Sequence, residues 1–494
     1  MDWNLLFTSF ENILHPSVLL SVLAGVTMGI TIGALPGLTA TMGVALLIPF
    51  TFGKPVTESL AMLLGLYCGG MYGGSISAIL IRTPGTPAAA ATVLEGYPLG
   101  QQGHAGRALS MALFASFCGG TIGALLMTFL SPPISKVALE FSYVEYFSLA
   151  VFGLSVIISI SGTSILKGVI AGFFGLLISS IGFDPISGYP RYTFGFVELL
   201  EGPAFIPTLI GLFALSEFFS GMEKSNGIER IKAVVRAFPP KEDILVSLKN
   251  ILKSSFIGAF IGAIPGTGGD IAAFVSYGEA KRSSKYPERF GTGVIEGVAA
   301  TEAANNACSG GAMIPLLSLG VPGDSVTAVI LGAFIIQGLQ PGPLLYKEHI
   351  DVVYNVFASM IVANIVMLFV GIIGIRFFVR VISIDKKILL PVIFVLSMVG
   401  SYAMRGNVFD LWLSLIFGLI GFLMQRYGFP LSPILLALIL GPMAESNLRR
   451  SLVMSNGSWK ILVSRPISVI LLCAAVLSIG ISIWNHKRVA ARTK

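Results

Sequence analysis

This chain is built from long apolar runs with few charges inside them, and that feature decides its solvent. The runs fall near residues 17–53, 59–96, 108–130, 143–160, 165–182, 204–222, 254–278, 294–337, 352–375, 388–403, 409–425, 431–445 and 466–485. A hydrocarbon core of about 30 Å is crossed by roughly 20 apolar residues in a helix. Inside it every backbone N–H and C=O must find a partner within the protein, which helices achieve locally. A membrane β-barrel would alternate polar and apolar residues over segments of about ten, whereas these runs are continuous. Charged residues are 12% of the chain, about half the ~25% of a soluble domain. A soluble enzyme, a disordered scaffold and a secreted disulfide-framed protein are excluded, and the expected fold is an all-α polytopic membrane protein.

The formal net charge of +7 does not point to nucleic acid. The basic residues sit in short loops between apolar runs, where Lys and Arg set membrane orientation. Cys68, Cys118, Cys308 and Cys473 show no paired spacing and read as small core residues, neither a disulfide framework nor a zinc site. No Lys or Arg precedes Lys54, so the N-terminus lacks the basic region of a secretory signal. No P-loop, G-x-S-x-G or H-E-x-x-H pattern occurs, and His15, His104, His349 and His486 do not cluster. No cofactor and no catalytic residue is expected.

The chain repeats itself. GALPG at 33–37 matches GAIPG at 262–266, and GGSISAILIRTPGT at 73–86 matches GGAMIPLLSLGVPGDS at 310–325. Phe114-Ala115-Ser116 matches Phe357-Ala358-Ser359, and Phe174-Gly175-Leu176 matches Phe417-Gly418-Leu419, in the same order. The expected division is a first transmembrane repeat over 1–222, a basic cytoplasmic linker over 223–253, a second repeat over 254–445, and a loop, helix and basic tail over 446–494. Loops 223–253, 279–292 and 376–387 and the tail at Lys487-Arg488 are basic and should be cytoplasmic; 183–203 and 338–351 should be external. Both flanks of 254–278 are then on one side, so that segment should be a re-entrant hairpin turning at Pro265-Gly266, and 17–53 its counterpart turning at Pro36-Gly37. One hairpin and five crossings per repeat invert the second copy, with an external N-terminus and a cytoplasmic C-terminus. Segment 446–465 goes against this scheme, being external yet carrying Arg449, Arg450, Lys460 and Arg465.

Pro-Gly breaks the runs at 36–37, 84–85, 265–266 and 322–323. Proline removes a helix N–H and glycine permits almost any φ, so each helix must stop and restart. A restart presents unpaired N–H groups and a positive dipole end. Small polar residues follow: Thr39 and Thr41; Thr86; Thr267, Gly268 and Gly269; Ser325 and Thr327. One such site would ordinarily be a kink. Four matched ones read as an anion cradle of helix N-termini and hydroxyls, with unwound carbonyls able to hold a small cation. The expected substrate-binding residues are Pro36, Gly37, Thr39, Thr41, Arg82, Thr83, Pro84, Gly85, Thr86, Pro265, Gly266, Thr267, Gly268, Asn305, Asn306, Pro322, Gly323 and Ser325. Ionisable residues within membrane segments are functional candidates by default. Arg82 would either pair with Asp270 or Asp324 or touch a carboxylate directly. Glu302, Asn305 and Asn306 share one helical face and could hold Na⁺ or a proton; the plainer reading leaves Glu302 solvated at a helix end. Asp270, Glu302 and Asp324 are the expected coupling-cation residues.

At GALPGLTATMGVALLIPFTFG (33–53), GGSISAILIRTPGTPAAAATVLEGYPL (73–99), EGVAATEAANNACSGGAMIPLLSLGVPGDSVTAVILGAF (296–334) and QGLQPGPLLY (337–346) the chain resembles the large membrane subunit of the tripartite tricarboxylate transporters. The resemblance covers essentially the whole chain. It implies a bacterial inner-membrane importer of carboxylates driven by an ion gradient, Na⁺ or H⁺, with two partners: a small membrane subunit and a periplasmic solute-binding protein. It places the four breaks along the substrate path with Glu302, Asn305 and Asn306 beside it. Arg82, Asp270 and Asp324 depart from the family pattern, which has Asn at the first and small or hydroxyl residues at the others. Whether two chains dimerise is left open. Hairpins and broken helices in inverted repeats also suggest elevator-type transport, by analogy of fold. A cation antiporter or channel is the alternative; a membrane enzyme and an assembly scaffold rank below it.

Overall fold

The computed structural model describes residues 2–35, 37–160, 165–184, 186–223, 238–381, 386–403 and 405–492. In chain order the helices are α1 (Trp3–Leu14), α2 (Pro16–Ala34), α3 (Ala40–Thr51), α4 (Val56–Ile81), α5 (Val93–Leu99), α6 (Ala105–Ala138), α7 (Tyr143–Ile160), α8 (Ile165–Ser179), α9 (Phe205–Leu209), α10 (Ser216–Glu223), α11 (Lys241–Gly262), α12 (Gly268–Ser283), α13 (Ile295–Leu319), α14 (Ser325–Ile336), α15 (Pro343–Glu348), α16 (Ile350–Val381), α17 (Lys386–Ala403), α18 (Val408–Arg426), α19 (Ser432–Met454) and α20 (Pro466–Arg492). Strand is confined, among the described residues, to a ribbon pairing Gly182–Phe183 with Pro190–Arg191. Seven helical stretches among those residues are long and apolar enough to cross a membrane, at 16–34, 56–81, 93–138, 205–223, 241–262, 350–380 and 408–426. The expected all-α polytopic fold is the observed one. Helix α11 starts at Lys241, so the last part of the basic stretch 223–253 is already helical; residues 224–237 of that stretch lie outside the described residues.

Two compact units form. Unit 1 is Met1–Ser135 with Glu217–Gly400; unit 2 is Lys136–Ser216 with Ser401–Lys494. Each draws on both halves of the chain.

Unit 1 rests on two glycine-seamed helix pairs. Helices α2 and α4 present glycines every fourth residue, Gly25, Gly29 and Gly33 against Gly65, Gly69 and Gly73. A Cβ at Gly29 would lie 2.3 Å from the Leu66 carbonyl oxygen, and one at Gly69 2.4 Å from that of Val26. Helices α11 and α13 meet the same way: a Cβ at Gly258 would come within 2.2 Å of the Ala304 carbonyl, and one at Gly311 within 2.2 Å of that of Ala259. In lipid no hydrophobic force separates helix faces from tails, so close backbone approach through small residues drives association. Helix α6 joins by the same device, with Gly119 against the Ala303 carbonyl.

Unit 2 packs α18 on the wide turn 210–215, α19 on α7 and α8, and α20 on α7. Its core gathers Ala171, Ile178, Leu212, Leu413, Phe417, Leu431 and Ile434. The basic residues of 446–465 are largely spoken for here. Arg449 pairs with Asp184 at 2.7 Å and Glu445 at 3.0 Å, Arg465 with Glu145 at 3.4 Å, and Arg450 lies over the Tyr143 ring. Backbone N–H groups of Ser187 and Ile186, with Arg449 beside them, hold the Asp184 carboxyl well below the usual carboxylate range. Cys473, expected in the core, is exposed on α20, while Cys68 and Cys308 are buried.

Gly29→Ala should destabilise unit 1 by about 1–3 kcal/mol, the usual cost of overpacking, because the obstructing atom is backbone and cannot swing away. Gly278→Ala, with nothing within 4 Å of the added carbon, should not. Thermal unfolding of the two variants in the same detergent tests this; equal midpoints would show that the α2–α4 seam is not tight.

Candidate functional site

Every expected site residue among the described ones lies within unit 1. Helix α2 ends at Ala34 and the chain turns through Gly37, whose φ is +94°; Pro36 lies outside the described residues. Thr39 caps α3, its Oγ1 accepting the Met42 N–H at 3.2 Å. Helix α11 ends at Gly262; after Pro265, Gly266 takes φ +84° and Thr267 starts α12, donating its hydroxyl back to the Ile264 carbonyl at 3.0 Å. Helix α4 ends on Arg82 in the left-handed conformation, φ +57°, where Asn or Gly would sit with less strain. Its counterpart at the end of α13 is Gly320, φ +74°.

The breaks meet. Gly266 N–H donates to the Gly323 carbonyl at 2.7 Å, joining the hairpin tip of α11–α12 to the break after α13. Thr41 on α3 and Ser325 on α14 share a hydroxyl hydrogen bond of 3.0 Å. A Cβ at Gly85 would sit 1.8 Å from the Gly33 carbonyl, and one at Gly323 2.6 Å from that of Gly262. Gly33 and Gly262 are the first residues of the matched GALPG and GAIPG motifs. The contacts also cross between halves: α3 packs on α14, and α12 on the short turn Pro87–Ala89. Gly269, at the start of α12, lies beside Asn305 and Ala88, so that a Cβ there would come within 2.8 Å of Asn305 Oδ1 and 3.1 Å of the Ala88 methyl. Arg82 and Thr83 are exposed. Arg82 lies over the Tyr97 ring at 5.7 Å, and among the described residues no ion pair joins it to Asp270 or Asp324.

The two restarts of the second half carry their own acids. Asp324 caps α14. Its Oδ1 accepts the Thr327 N–H and hydroxyl, each at 2.8 Å, and its Oδ2 accepts the Tyr67 hydroxyl at 2.6 Å. Asp270 stands in the first turn of α12. The positive end of each helix therefore already faces a carboxylate. The first-half restarts at α3 and at 86–92 have no acid within their first turn; a Cβ at Gly37 would lie 2.6 Å from Glu217 Oε1. Hydroxyl and amide capacity is left over nearby, since Thr86 Oγ1, Tyr72 Oη and Asn305 Oδ1 are buried without a partner.

Glu302 is not solvated at a helix end; its exposure is 0%. Thr92 Oγ1 donates to its Oε1 at 2.5 Å and Ser116 Oγ to its Oε2 at 3.0 Å. Thr92 also bonds Thr301 Oγ1 at 3.0 Å, and Asn306 Nδ2 donates to Ser116 Oγ at 2.8 Å. Asn305, one residue before Asn306, points its Nδ2 at the Met71 carbonyl instead, 3.3 Å away. Among the described residues no three His, Cys, Asp or Glu side chains gather as metal ligands. Thr92, Ser116, Tyr67 and Tyr72 are not singled out by the sequence. Only Ser116 carried a signal, as the last residue of the repeated Phe-Ala-Ser motif. Glu95 is buried nearby and accepts the Tyr277 hydroxyl at 2.8 Å and the N–H groups of Gly293 and Val294 at 2.8 and 2.7 Å, tying α5 to the loop before α13.

The sequence profile of the tripartite tricarboxylate transporter TctA family matches residues 19–436. An "uncharacterized 52.8 kDa protein in TAR-I ttuC' 3'region" of Agrobacterium vitis is 38% identical over 475 residues, 96% of this chain and 95% of that protein. A second protein of the same organism, from the TAR-II ttuC' 3'region, is 38% identical over 215 residues, 44% of this chain and 89% of its own length.

Asp324→Ala, which removes both the N-cap and the acceptor of the buried Tyr67 hydroxyl, should cost more than the ~1–2 kcal/mol of a cap alone. Asp324→Asn keeps the cap but turns a donor toward Tyr67, so it should lose less than Asp324→Ala. Unfolding midpoints check this; equal losses for both variants would mean that the cap contributes nothing.

Proposed function

We propose, on the premise that this chain belongs to the tripartite tricarboxylate transporter TctA family, that it is the large, substrate-translocating subunit of a tripartite importer of tricarboxylates or other organic carboxylates. The observation that carries this is the meeting of helix breaks in unit 1, where Gly266 reaches Gly323 and Thr41 reaches Ser325. The hydroxyls there that keep a hydrogen bind carboxylate oxygens. Thr39, Thr86 and one of the Thr41–Ser325 pair supply hydroxyls, Asn305 supplies its second amide hydrogen, and the glycines bring backbone close. Arg82 and Thr83, being exposed, serve at the entrance. The two halves are inverted repeats in this reading, supported by the exchanged contacts of α3 with α14 and α12 with Pro87–Ala89. Unit 1 then carries the substrate in an elevator-type cycle.

Transport is secondary, coupled to Na⁺ or H⁺ through Asp270, Glu302 or Asp324. The partners are a small membrane subunit and a periplasmic solute-binding protein, in the inner membrane, with the N-terminus external and the C-terminus cytoplasmic. The acids of unit 1 also fit a cation antiporter without an organic substrate.

Membrane vesicles holding the chain with both partners should accumulate radiolabelled citrate or another di- or tricarboxylate only when the binding protein is present, and should stop when the Na⁺ and proton gradients are collapsed. Accumulation that survives the collapse would remove the coupling. Cation flux with no carboxylate present would favour the antiporter.

A further inference from the structure

Glu302 is a carboxyl shut away from solvent with no cation beside it. Among the described residues no Lys, Arg or His pairs with it. From the elements packed around it, the facing groups are the Tyr72 hydroxyl on α4, the Thr92 hydroxyl before α5, and Ser116 on α6. The base on α6 nearest in sequence, Arg107, is held by Asp243 through two bonds, of 2.6 and 2.5 Å. Glu95 on α5 is held by Tyr277 and the loop backbone. An unpaired ionised carboxylate in such surroundings is costly enough that the group takes up a counter-charge or a proton.

The hydrogen-bond pattern says which. Both carboxyl oxygens already sit at hydrogen-bond distance from hydroxyl oxygens, 2.5 and 3.0 Å. Oxygens sharing a metal cation do not also share a proton at such separations, so a Na⁺ between them would have to break both bonds. A proton needs no rearrangement. With the proton on Oε1, the chain runs Glu302 to Thr92 Oγ1, to Thr301 Oγ1 at 3.0 Å, to the Val298 carbonyl at 3.0 Å, every member donating once. Reversing the Thr92 hydroxyl restores the bond that serves the ionised form. Two buried groups at the cluster are without partners: the Tyr72 hydroxyl, a donor, and Asn306 Oδ1, an acceptor. One suits the carboxylate and the other the carboxyl O–H.

We propose that Glu302 is the site of the coupling ion and that this ion is a proton, carried on the carboxyl oxygen that faces the Thr92 hydroxyl; this rests on the secondary-transport reading above. Uptake of a proton from one side neutralises Glu302, and its release to the other leaves the anion held by Thr92 and Ser116. Asp324, bound in its cap, does not take part.

Infrared difference spectroscopy of the purified full-length chain in lipid, titrated with acid in choline chloride and again in sodium chloride, tests this without any substrate. Wild type should show the C=O stretch of a protonated carboxyl that Na⁺ at fixed pH leaves in place and that Glu302→Gln loses. Thr92→Val, close in shape, should keep the band and move it to higher wavenumber, because the carboxyl has lost a hydrogen-bond partner. A band undiminished in Glu302→Gln, unshifted in Thr92→Val, or removed from wild type by Na⁺ would overturn the assignment. Should the spectra agree while vesicles fail to take up any carboxylate, the transport reading falls and the proton site stands; the reverse pairing does the opposite.

Discussion

A helix that stops inside hydrocarbon leaves backbone groups that nothing in the surrounding lipid can satisfy. The rest of unit 1 follows from how those groups are met. Gly266 N–H finds the Gly323 carbonyl, and Gly85 N–H finds the Gly74 carbonyl at 3.2 Å. The hairpin tip is thus completed by the break after α13, and the break after α4 by a carbonyl of α4 itself. Such partners must approach to backbone contact, and the glycine seams of α2–α4 and α11–α13 allow that approach. The seams and the breaks are therefore one design: Gly85 and Gly323, bare of side chains, lie on the carbonyls of Gly33 and Gly262, which themselves lie in the seams against Gly70 and Cys308.

The polar groups in this bundle divide into those that hold structure and those left with capacity. Asp324, Thr39 and Thr267 are absorbed by caps and turns. Their fate is the ordinary one for acids and hydroxyls at helix starts. Glu302 is different. It lies in the interior of α13, caps nothing, and is surrounded by hydroxyls drawn from α6 and from the turn before α5. Asn305 and Asn306 keep free carbonyl oxygens. A bundle that buries this many groups with spare hydrogen-bonding capacity suits traffic of polar solutes better than plain anchorage.

Much of this was legible in the chain itself. Run lengths and sparse charge fixed the all-α membrane class, and the repeated motifs pointed to the residues that come together. The seam is written in the chain too, as glycines four apart at 25, 29 and 33 and at 65, 69 and 73. What could not be read was pairing between remote segments. Thr92 and Ser116 carry no local pattern that says they face Glu302, and Tyr67 none that sends it to Asp324. Nor does the sequence near 446–465 show which acids Arg449 and Arg465 meet, since Asp184 and Glu145 lie hundreds of residues away. The left-handed turn at Arg82 likewise shows only in the backbone.

The contact between Thr41 and Ser325 tests the meeting of breaks most directly, because it joins α3 of the first half to α14 of the second. With the four native cysteines changed to alanine, Thr41→Cys and Ser325→Cys introduced together should form a disulfide in native membranes under mild oxidation, read as loss of two titratable thiols. Each single variant should keep its thiol. Two thiols that stay free in the double variant under the same oxidation would contradict the convergence on which the carboxylate site depends.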